Sequence, residues 1–178
     1  MRFLALCGSL RRDSYNAALL RAIKCLAEPQ VEVDVFGGMG NLPLFNPDGD
    51  PSASPVVRDL FGRVKLSNAL IIASPEYAHG VTGTMKNALD WLVGFEPFAG
   101  KAVAVLNASP RAIHADMALK ETLRTMAARI IESASITLPL LGSGLDDAGI
   151  VQSTEISGQL RDALTALARA LDGQAGNG

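Results

Sequence analysis

Short apolar runs rich in β-branched residues alternate along this chain with longer segments whose apolar positions recur at helical spacing. The short runs predict strands at 2–7, 31–36, 69–74, 101–109 and 133–141. The longer segments predict helices at 15–27, 56–67, 82–95, 112–131 and 154–173. Because parallel strands need crossover connections, this alternation predicts an α/β fold with a five-stranded parallel sheet and helices on both faces.

The predicted strands differ in how many of their two faces are apolar. In 31–36 the valines alternate with Glu32 and Asp34, which indicates an edge strand with one polar face. The run at 69–74 is apolar throughout its first five positions and indicates a central strand buried on both faces. These two patterns predict where each strand lies across the sheet.

The whole of 1–173 is predicted to form one domain, with Gly173 ending the last helix and a frayed tail at 174–178. The segment 37–55 is rich in proline and glycine and predicts a long irregular loop. The N-terminal run is interpreted as a buried strand, because no small-residue cleavage site follows it.

The net charge and the cysteine content argue against several kinds of binding partner and against a metal site. Sixteen basic and eighteen acidic residues give a net charge of −2, which does not suit binding to nucleic acid or to an anionic membrane surface. Cys7 and Cys25 have no metal-ligand spacing, so we expect no metal site and two reduced thiols in apolar surroundings. The composition predicts a cytoplasmic protein.

In open parallel sheets, ligands bind beyond the carboxyl ends of the strands, so the loops at 8–15, 74–80 and 107–114 are the candidate site. The first loop combines a glycine, two serines, an arginine and the start of a helix, which together suit a phosphate group. Its candidate contacts are Ser9, Arg11, Ser14, Tyr15 and Asn16. An ordinary turn, with Ser14 serving only as the helix N-cap, is the alternative.

The second loop has features that suit a planar ligand. Pro75 restricts one backbone angle and Gly80 frees another, which shapes a loop whose N–H groups can approach a ring edge. Tyr77 adds a flat face with a polar tip. A flavin ring needs this combination of backbone donors and aromatic cover.

Both loops resemble motifs of the NADPH-dependent FMN reductase family. GSLRRDSYN resembles its GSxRxxSxN phosphate loop, and PEYAHGVTGTMKNALDW resembles its PEYNxSxPGxLKNAIDW signature. The resemblance implies a flavodoxin-like three-layer sandwich with strand order 2-1-3-4-5, FMN as cofactor and NADPH or NADH as co-substrate. The cofactor-binding positions that it implies are Ser9, Arg11, Ser14, Tyr15 (through its backbone), Asn16, Pro75, Glu76, Tyr77, Ala78, His79, Gly80, Ser109 and Arg111.

The chain departs from the family pattern in two places. Ala78 and His79 replace the usual asparagine and its neighbour, so His79 either faces the flavin or lies in an exposed loop. The third loop has Ser109, Arg111 and His114 where many members carry a glycine-rich segment. Arg111 either contacts the phosphates of the nicotinamide nucleotide or is an ordinary surface residue.

The resemblance implies an NAD(P)H-dependent FMN or quinone reductase that works by a ping-pong mechanism without a catalytic side chain. Quinones, free flavins, azo compounds and metal oxyanions are the small-molecule acceptors expected. A flavodoxin-type electron carrier and a non-enzymatic flavin-binding sensor are the alternatives. The resemblance also implies a homodimer or homotetramer, with roles in packing and subunit contact for Lys86, Asn87, Asp90 and Trp91.

Overall fold

The computed structural model describes residues 1–175 and contains one five-stranded parallel sheet and a small hairpin. The strands are β1 (Arg2–Cys7), β2 (Glu32–Val35), β3 (Ala69–Ala73), β4 (Glu76–Tyr77), β5 (Gly80–Val81), β6 (Ala102–Leu106) and β7 (Arg129–Ile130). The parallel sheet has the order β2-β1-β3-β6-β7, and β4 pairs with β5 to form the hairpin. Counting only the strands of the large sheet, this is the predicted order 2-1-3-4-5.

Six α-helices cover the two faces of this sheet. They are α1 (Tyr15–Leu26), α2 (Pro55–Leu66), α3 (Gly83–Leu92), α4 (Ile113–Thr125), α5 (Asp147–Gln152) and α6 (Thr154–Ala175). One apolar core joins the sheet to α1, α5 and α6, and the other joins it to α2, α3 and α4. Successive residues of β3 alternate between the two cores, because side chains of a strand point to opposite faces. The predicted three-layer sandwich is therefore confirmed.

The edge position predicted for the second strand is confirmed. The polar face of β2 carries two ion pairs, Glu32 with Arg2 at 3.1 Å and Asp34 with Arg63 at 2.7 Å. On the other face Val33 is buried in the core beneath α1. The edge strand therefore meets the core with one face and solvent-exposed charges with the other.

The predicted helix at 112–131 is confirmed but ends earlier than expected, whereas the predicted fifth strand at 133–141 was wrong. Helix α4 ends at Thr125, and Ala127 then adopts a left-handed conformation with φ 59°, which reverses the chain so that β7 begins at Arg129. The segment 133–141 forms one isolated bridge, from Thr137 to Asn107 just after β6, and the hydroxyl of Ser135 accepts from the backbone N–H of Val105 at 3.0 Å. Its apolar residues reflect burial of Leu138 and Leu140 rather than ladder pairing.

Three smaller expectations also required correction. Cys7 is buried, but Cys25 is exposed on α1 and does not lie in apolar surroundings. Helix α6 continues through Gly173 to Ala175, so Gly173 does not end it. The long loop at 37–55 contains two short 3₁₀ turns, Met39–Asn41 and Pro51–Ala53. The expected tail residues 176–178 lie outside the described residues.

Among residues 1–175, no helix is both long and apolar enough to cross a membrane.

Candidate functional site

A cleft of about 630 Å³ lies beyond the carboxyl ends of the strands, where the sequence placed the candidate loops. Four segments form its walls: the loop after β1 with the start of α1, the hairpin, the loop after β6, and the segment before α5. The residues lining it are Ser9, Arg11, Asp13, Ser14, Tyr15, Asn16, Ala18, Arg21, Pro75, Glu76, Tyr77, Asn107, Ala108, Ser109, Arg111, Ala112, Leu141, Gly144, Leu145 and Asp146.

The first wall is the predicted phosphate loop. Ser14 caps α1, because its hydroxyl accepts from the backbone N–H of Ala17 at 3.4 Å. The hydroxyl of Ser9 accepts from the backbone N–H of Arg11, also at 3.4 Å, which tightens the turn. The N–H groups of Tyr15 and Asn16 lie in the first helical turn, where a helix has no acceptor of its own. With the Arg11 guanidinium on the same wall, this arrangement suits an anion.

Asn16 carries a hydrogen-bonding group that the protein itself does not satisfy. The residue is only 6% exposed, and among the described residues its Oδ1 atom has no hydrogen-bond partner. A buried amide oxygen without a donor is unfavourable by about 1–3 kcal/mol. Because Asn16 lines the cleft, a ligand that carries hydroxyl groups would meet this requirement.

The second wall is a hairpin with a two-residue turn, where the sequence predicted a shaped loop without strands. Its turn residues Ala78 and His79 both have positive φ, at 49° and 57°, so the left-handed positions fall there and not at Gly80. Tyr77 lines the cleft and is 52% exposed. Within the described structure, the predicted contacts Ala78, His79 and Gly80 are not on the cleft wall.

The carboxylate of Glu76 connects this hairpin to the next wall. One oxygen lies 2.9 Å from Nδ1 of His79, and the other accepts from the backbone N–H of Ala115 in α4 at 2.9 Å. The Ala115 N–H, followed by the His79 contact, lowers the pKa of Glu76 below its ordinary value. The His79 ring also contacts His114, with ring centroids 4.5 Å apart. His79 is thus exposed, as one of the two interpretations expected, but it is held in place.

The third wall is a compact turn after β6. The side chain of Asn107 spans it, accepting from the backbone N–H of Ser109 at 3.0 Å and donating to the carbonyl of Ala112 at 3.2 Å. The Ser109 hydroxyl accepts from the backbone N–H of Arg111 at 3.2 Å. These bonds hold the predicted contacts Ser109 and Arg111 on the cleft wall without a glycine-rich sequence.

The fourth wall was missed by the sequence analysis. The segment from Leu141 to Asp146 faces the first loop, and the phenol oxygen of Tyr15 accepts from the backbone N–H of Gly144 at 3.2 Å. An ion pair between Arg21 and Asp147 at 3.3 Å ties the start of α5, directly after this segment, to α1. The available signal was the run LGSGLDD, whose glycines have positive φ values of 83° and 72°.

Side chains of α3 secure the long loop rather than the cleft. The amide oxygen of Asn87 accepts from the backbone N–H of Phe45 at 2.8 Å. Asn87 and Trp91 donate to the carbonyl of Pro43 at 3.0 and 2.8 Å. The expected packing role is therefore confirmed for Asn87 and Trp91, while Lys86 and Asp90 form an ion pair with each other at 2.5 Å.

The strained hairpin turn leads to a stability prediction. Replacing Ala78 with asparagine should raise the free energy of unfolding by about 1 kcal/mol, because asparagine adopts the left-handed conformation more readily. Chemical denaturation of both proteins measures the difference. The matched control is Ala118→Asn on the exposed face of α4, where helix propensity predicts a loss of about 0.5 kcal/mol. Destabilisation by Ala78→Asn would contradict the strain interpretation.

Comparison with known proteins gives a consistent set of similarities. The family model described as NADPH-dependent FMN reductase matches residues 1–140. The chain is 35% identical over 115 residues to an NAD(P)H-dependent FMN reductase of Pseudomonas aeruginosa, covering 61% of this chain and 60% of that protein. It is 38% identical over 112 residues to a quinone reductase of Pseudomonas putida, covering 60% and 59%. The match therefore spans about 60% of the length of these curated relatives.

A solved structure extends the similarity over nearly the whole chain. It is FerB, a flavoenzyme NAD(P)H:(acceptor) oxidoreductase from Paracoccus denitrificans, with a TM-score of 0.81 and 27% sequence identity. The alignment covers 96% of this chain and 97% of that one. The similarity thus includes the segment after residue 140, which the family model does not match.

Proposed function

Because the chain belongs to the NADPH-dependent FMN reductase family, we propose that it is an NAD(P)H-dependent FMN or quinone reductase whose cleft holds FMN. The observation that carries this proposal is the meeting, in one cleft, of the predicted phosphate loop at a helix start and a hairpin that presents an aromatic ring. At about 630 Å³, the cleft lies within the size range of pockets that hold small molecules and cofactors.

The residues present fit the parts of FMN in a simple order. We assign the phosphate to Ser9, Arg11 and Ser14 together with the free N–H groups at the start of α1. The ribityl hydroxyls then lie near Asn16, whose buried Oδ1 has no donor among the described residues. We assign the ring to the space between Tyr77 on the hairpin and the turn that carries Ser109 and Arg111.

The chain's own residues bind and orient in this proposal, and none serves as a general acid or base. When bound, FMN supplies the redox chemistry by taking a hydride from the nicotinamide nucleotide and passing electrons to an acceptor. Tyr77 limits access of water to one side of the ring position, and its half-exposed ring leaves the outer part of the cleft open. Arg111 on the outer wall is available for the phosphates of the nucleotide.

We further propose that the nucleotide and the acceptor enter this cleft in turn, as in a ping-pong mechanism. This order follows if both molecules use the half-exposed part of the cleft beside Tyr77. The acceptors expected are quinones, and more broadly free flavins, azo compounds or metal oxyanions. The small-molecule partner follows from the proposed activity, and localisation in the cytoplasm stays a prediction.

The proposed homodimer or homotetramer has a candidate contact surface beside α3. Leu44 is 87% exposed and the neighbouring Phe45 is 39% exposed, although hydrogen bonds from Phe45 to Asn87 and from Trp91 to Pro43 hold this part of the long loop in place. Large apolar side chains on an ordered loop are typical of protein contact surfaces. The surface adjoins the helix that follows the hairpin, where the family resemblance implies a subunit contact.

The first experiment is an absorbance spectrum of the protein reconstituted with FMN, recorded before and after anaerobic addition of NADPH and then of NADH. We expect the flavin bands to bleach, and steady-state rates with a quinone to give parallel double-reciprocal lines. A bound flavin that neither nucleotide bleaches would support the electron carrier or sensor instead. Failure to bind FMN would contradict the assignment of the phosphate loop.

A further inference from the structure

The hairpin and the start of α4 are joined by a group of three side chains, which we call the Glu76 clasp: Glu76, His79 and His114. Glu76 is the inner member, and its side chain is 13% exposed. His79, at the tip of the hairpin, is 77% exposed, and its ring packs edge-on against His114 with an interplanar angle of 71°. These are the only two histidines of the chain, and they come from two different elements, the hairpin turn and the start of α4.

Both carboxylate oxygens of Glu76 are engaged, each by a different element. Oε1 lies 2.9 Å from Nδ1 of His79, which keeps the contact within the hairpin. Oε2 accepts from the backbone N–H of Ala115, which belongs to the first turn of α4 and has no acceptor within that helix. The carboxylate therefore satisfies a helix-end donor and joins two segments that are 39 residues apart in sequence.

The two joined segments carry the walls assigned to the ring of FMN. Tyr77 directly follows Glu76, and Ala112 lies at the N-terminal boundary of α4. Both residues line the cleft. Because the hairpin turn adopts left-handed angles at residues with side chains, its own sequence does not favour the conformation that it holds. The hairpin packs against α4, and the Glu76 carboxylate adds a directed hydrogen bond between these two elements.

We propose that Glu76 is a positioning residue whose carboxylate, by joining the hairpin to α4, holds the walls of the cleft at the spacing that the FMN ring requires. Pre-organised walls raise affinity, since the ligand does not have to order them on binding. The proposal rests on the proposed function, in that FMN is taken as the ligand. The clasp itself is a property of the flavin-free chain.

Two substitutions at Glu76 separate the effect of its hydrogen bonds from the effect of its negative charge. Glu76→Gln keeps an oxygen that accepts from Ala115 and an amide that donates to Nδ1 of His79. Glu76→Ala removes both contacts. We expect Glu76→Ala to weaken FMN binding about tenfold, and Glu76→Gln to stay within about twofold of the unchanged protein. The matched control is Glu121→Ala, which removes an exposed carboxylate farther along α4 and should leave the affinity unchanged.

The test measures FMN affinity by quenching of flavin fluorescence, and hydrogen exchange of residues 111–117 in the flavin-free proteins. We expect exchange at Ala115 to accelerate in Glu76→Ala and not in Glu76→Gln. If Glu76→Ala does not fold, His79→Ala at the exposed turn tests the proposal instead. We expect it to weaken FMN binding about threefold. Equal affinity in Glu76→Ala, an equal loss in both Glu76 variants, or no change in His79→Ala would each overturn the proposal.

Failure of the proposed function gives a different pattern. In that case the unchanged protein does not bind FMN, or binds it without reduction by either nucleotide. The exchange measurement still decides whether Glu76 joins the two segments, because it uses no flavin. Unaltered exchange at Ala115 in Glu76→Ala would overturn the clasp whatever ligand the cleft holds.

Discussion

Replacement of Gly8 by alanine is expected to lower the free energy of unfolding by about 3 kcal/mol, because the space for a methyl group is already filled. A Cβ atom at this position would lie 2.2 Å from Oγ and 2.7 Å from Cβ of Ser74. Movement is restricted on both sides of Gly8. Its N–H donates to the carbonyl of Ala73 at 2.8 Å, and its carbonyl accepts from the hydroxyl of Thr82 at 2.7 Å.

Chemical denaturation measures this loss, and two further variants show whether crowding causes it. Gly62→Ala on the exposed face of α2 is the control, since among the described residues no atom outside its own stretch of helix lies within 4 Å of its Cβ position. Helix propensity there predicts a gain of about 0.5–1 kcal/mol. In a Ser74→Gly background, Gly8→Ala should cost about 1 kcal/mol or less, because most of the contact is gone. An undiminished cost in that background would contradict the crowding explanation.

We expect Gly8→Ala to alter the cleft as well, because Gly8 lies between β1 and the phosphate loop. Its two hydrogen bonds align the end of β1 with the end of β3 and with Thr82, the N-cap of α3. These elements lead into the first two walls of the cleft. Loss of FMN binding should therefore accompany the loss of stability.

The sequence predicted the central strands well because burial on both faces leaves a continuous apolar run that few other structures produce. β1, β3 and β6 have this pattern, and each lies within its predicted range. The fifth strand failed for the same physical reason. The apolar residues around Leu138 are buried against the core without pairing in a ladder, and an apolar run does not separate the two cases.

The candidate site also has parts that the sequence predicts and parts that it does not. Loops that directly follow strands were predictable, because parallel strands place their carboxyl ends at one edge of the sheet. The wall from Leu141 to Asp146 was missed, since only its contacts with Tyr15 and α1 bring it to the cleft. The left-handed turn at Ala78 and His79 was likewise not predictable, because this type of turn favours Asn-Gly or Asp-Gly and alanine rarely adopts the left-handed conformation.

Removal of the Arg11 guanidinium is expected to weaken FMN binding by about 2 kcal/mol, which is about thirtyfold in the dissociation constant. Hydrogen bonds between charged groups are stronger than neutral ones, and Arg11 lines the cleft beside the start of α1. Arg21 lines the same cleft, but its guanidinium is paired with Asp147 at 3.3 Å and is less available to the phosphate. Titration of Arg11→Ala with FMN, followed by flavin fluorescence, measures the loss.

The neighbouring Arg12 makes it possible to separate contact from general attraction. Both arginines are exposed, but among the described residues Arg12 is not part of the cleft wall. Arg12→Ala removes the same charge from nearly the same place but removes no group from the cleft wall. Because salt screens the attraction between exposed charges that are not in contact, we expect Arg12→Ala to change FMN affinity less than twofold at physiological salt. Equal losses in the two variants would show that Arg11 acts through the field of the surface and not through a phosphate contact.

Riboflavin has the same ring and ribityl chain as FMN but no phosphate. Comparing the affinities of the two ligands therefore shows which part of FMN Arg11 contacts. If Arg11 binds the phosphate, its removal should weaken FMN and leave riboflavin affinity unchanged, so that the preference for FMN falls about thirtyfold. If riboflavin weakens equally, Arg11 supports the ring or the loop and the orientation assigned to FMN in the cleft is wrong. Because the comparison is made within one variant, a general loss of folding affects both ligands alike and cannot produce the expected difference.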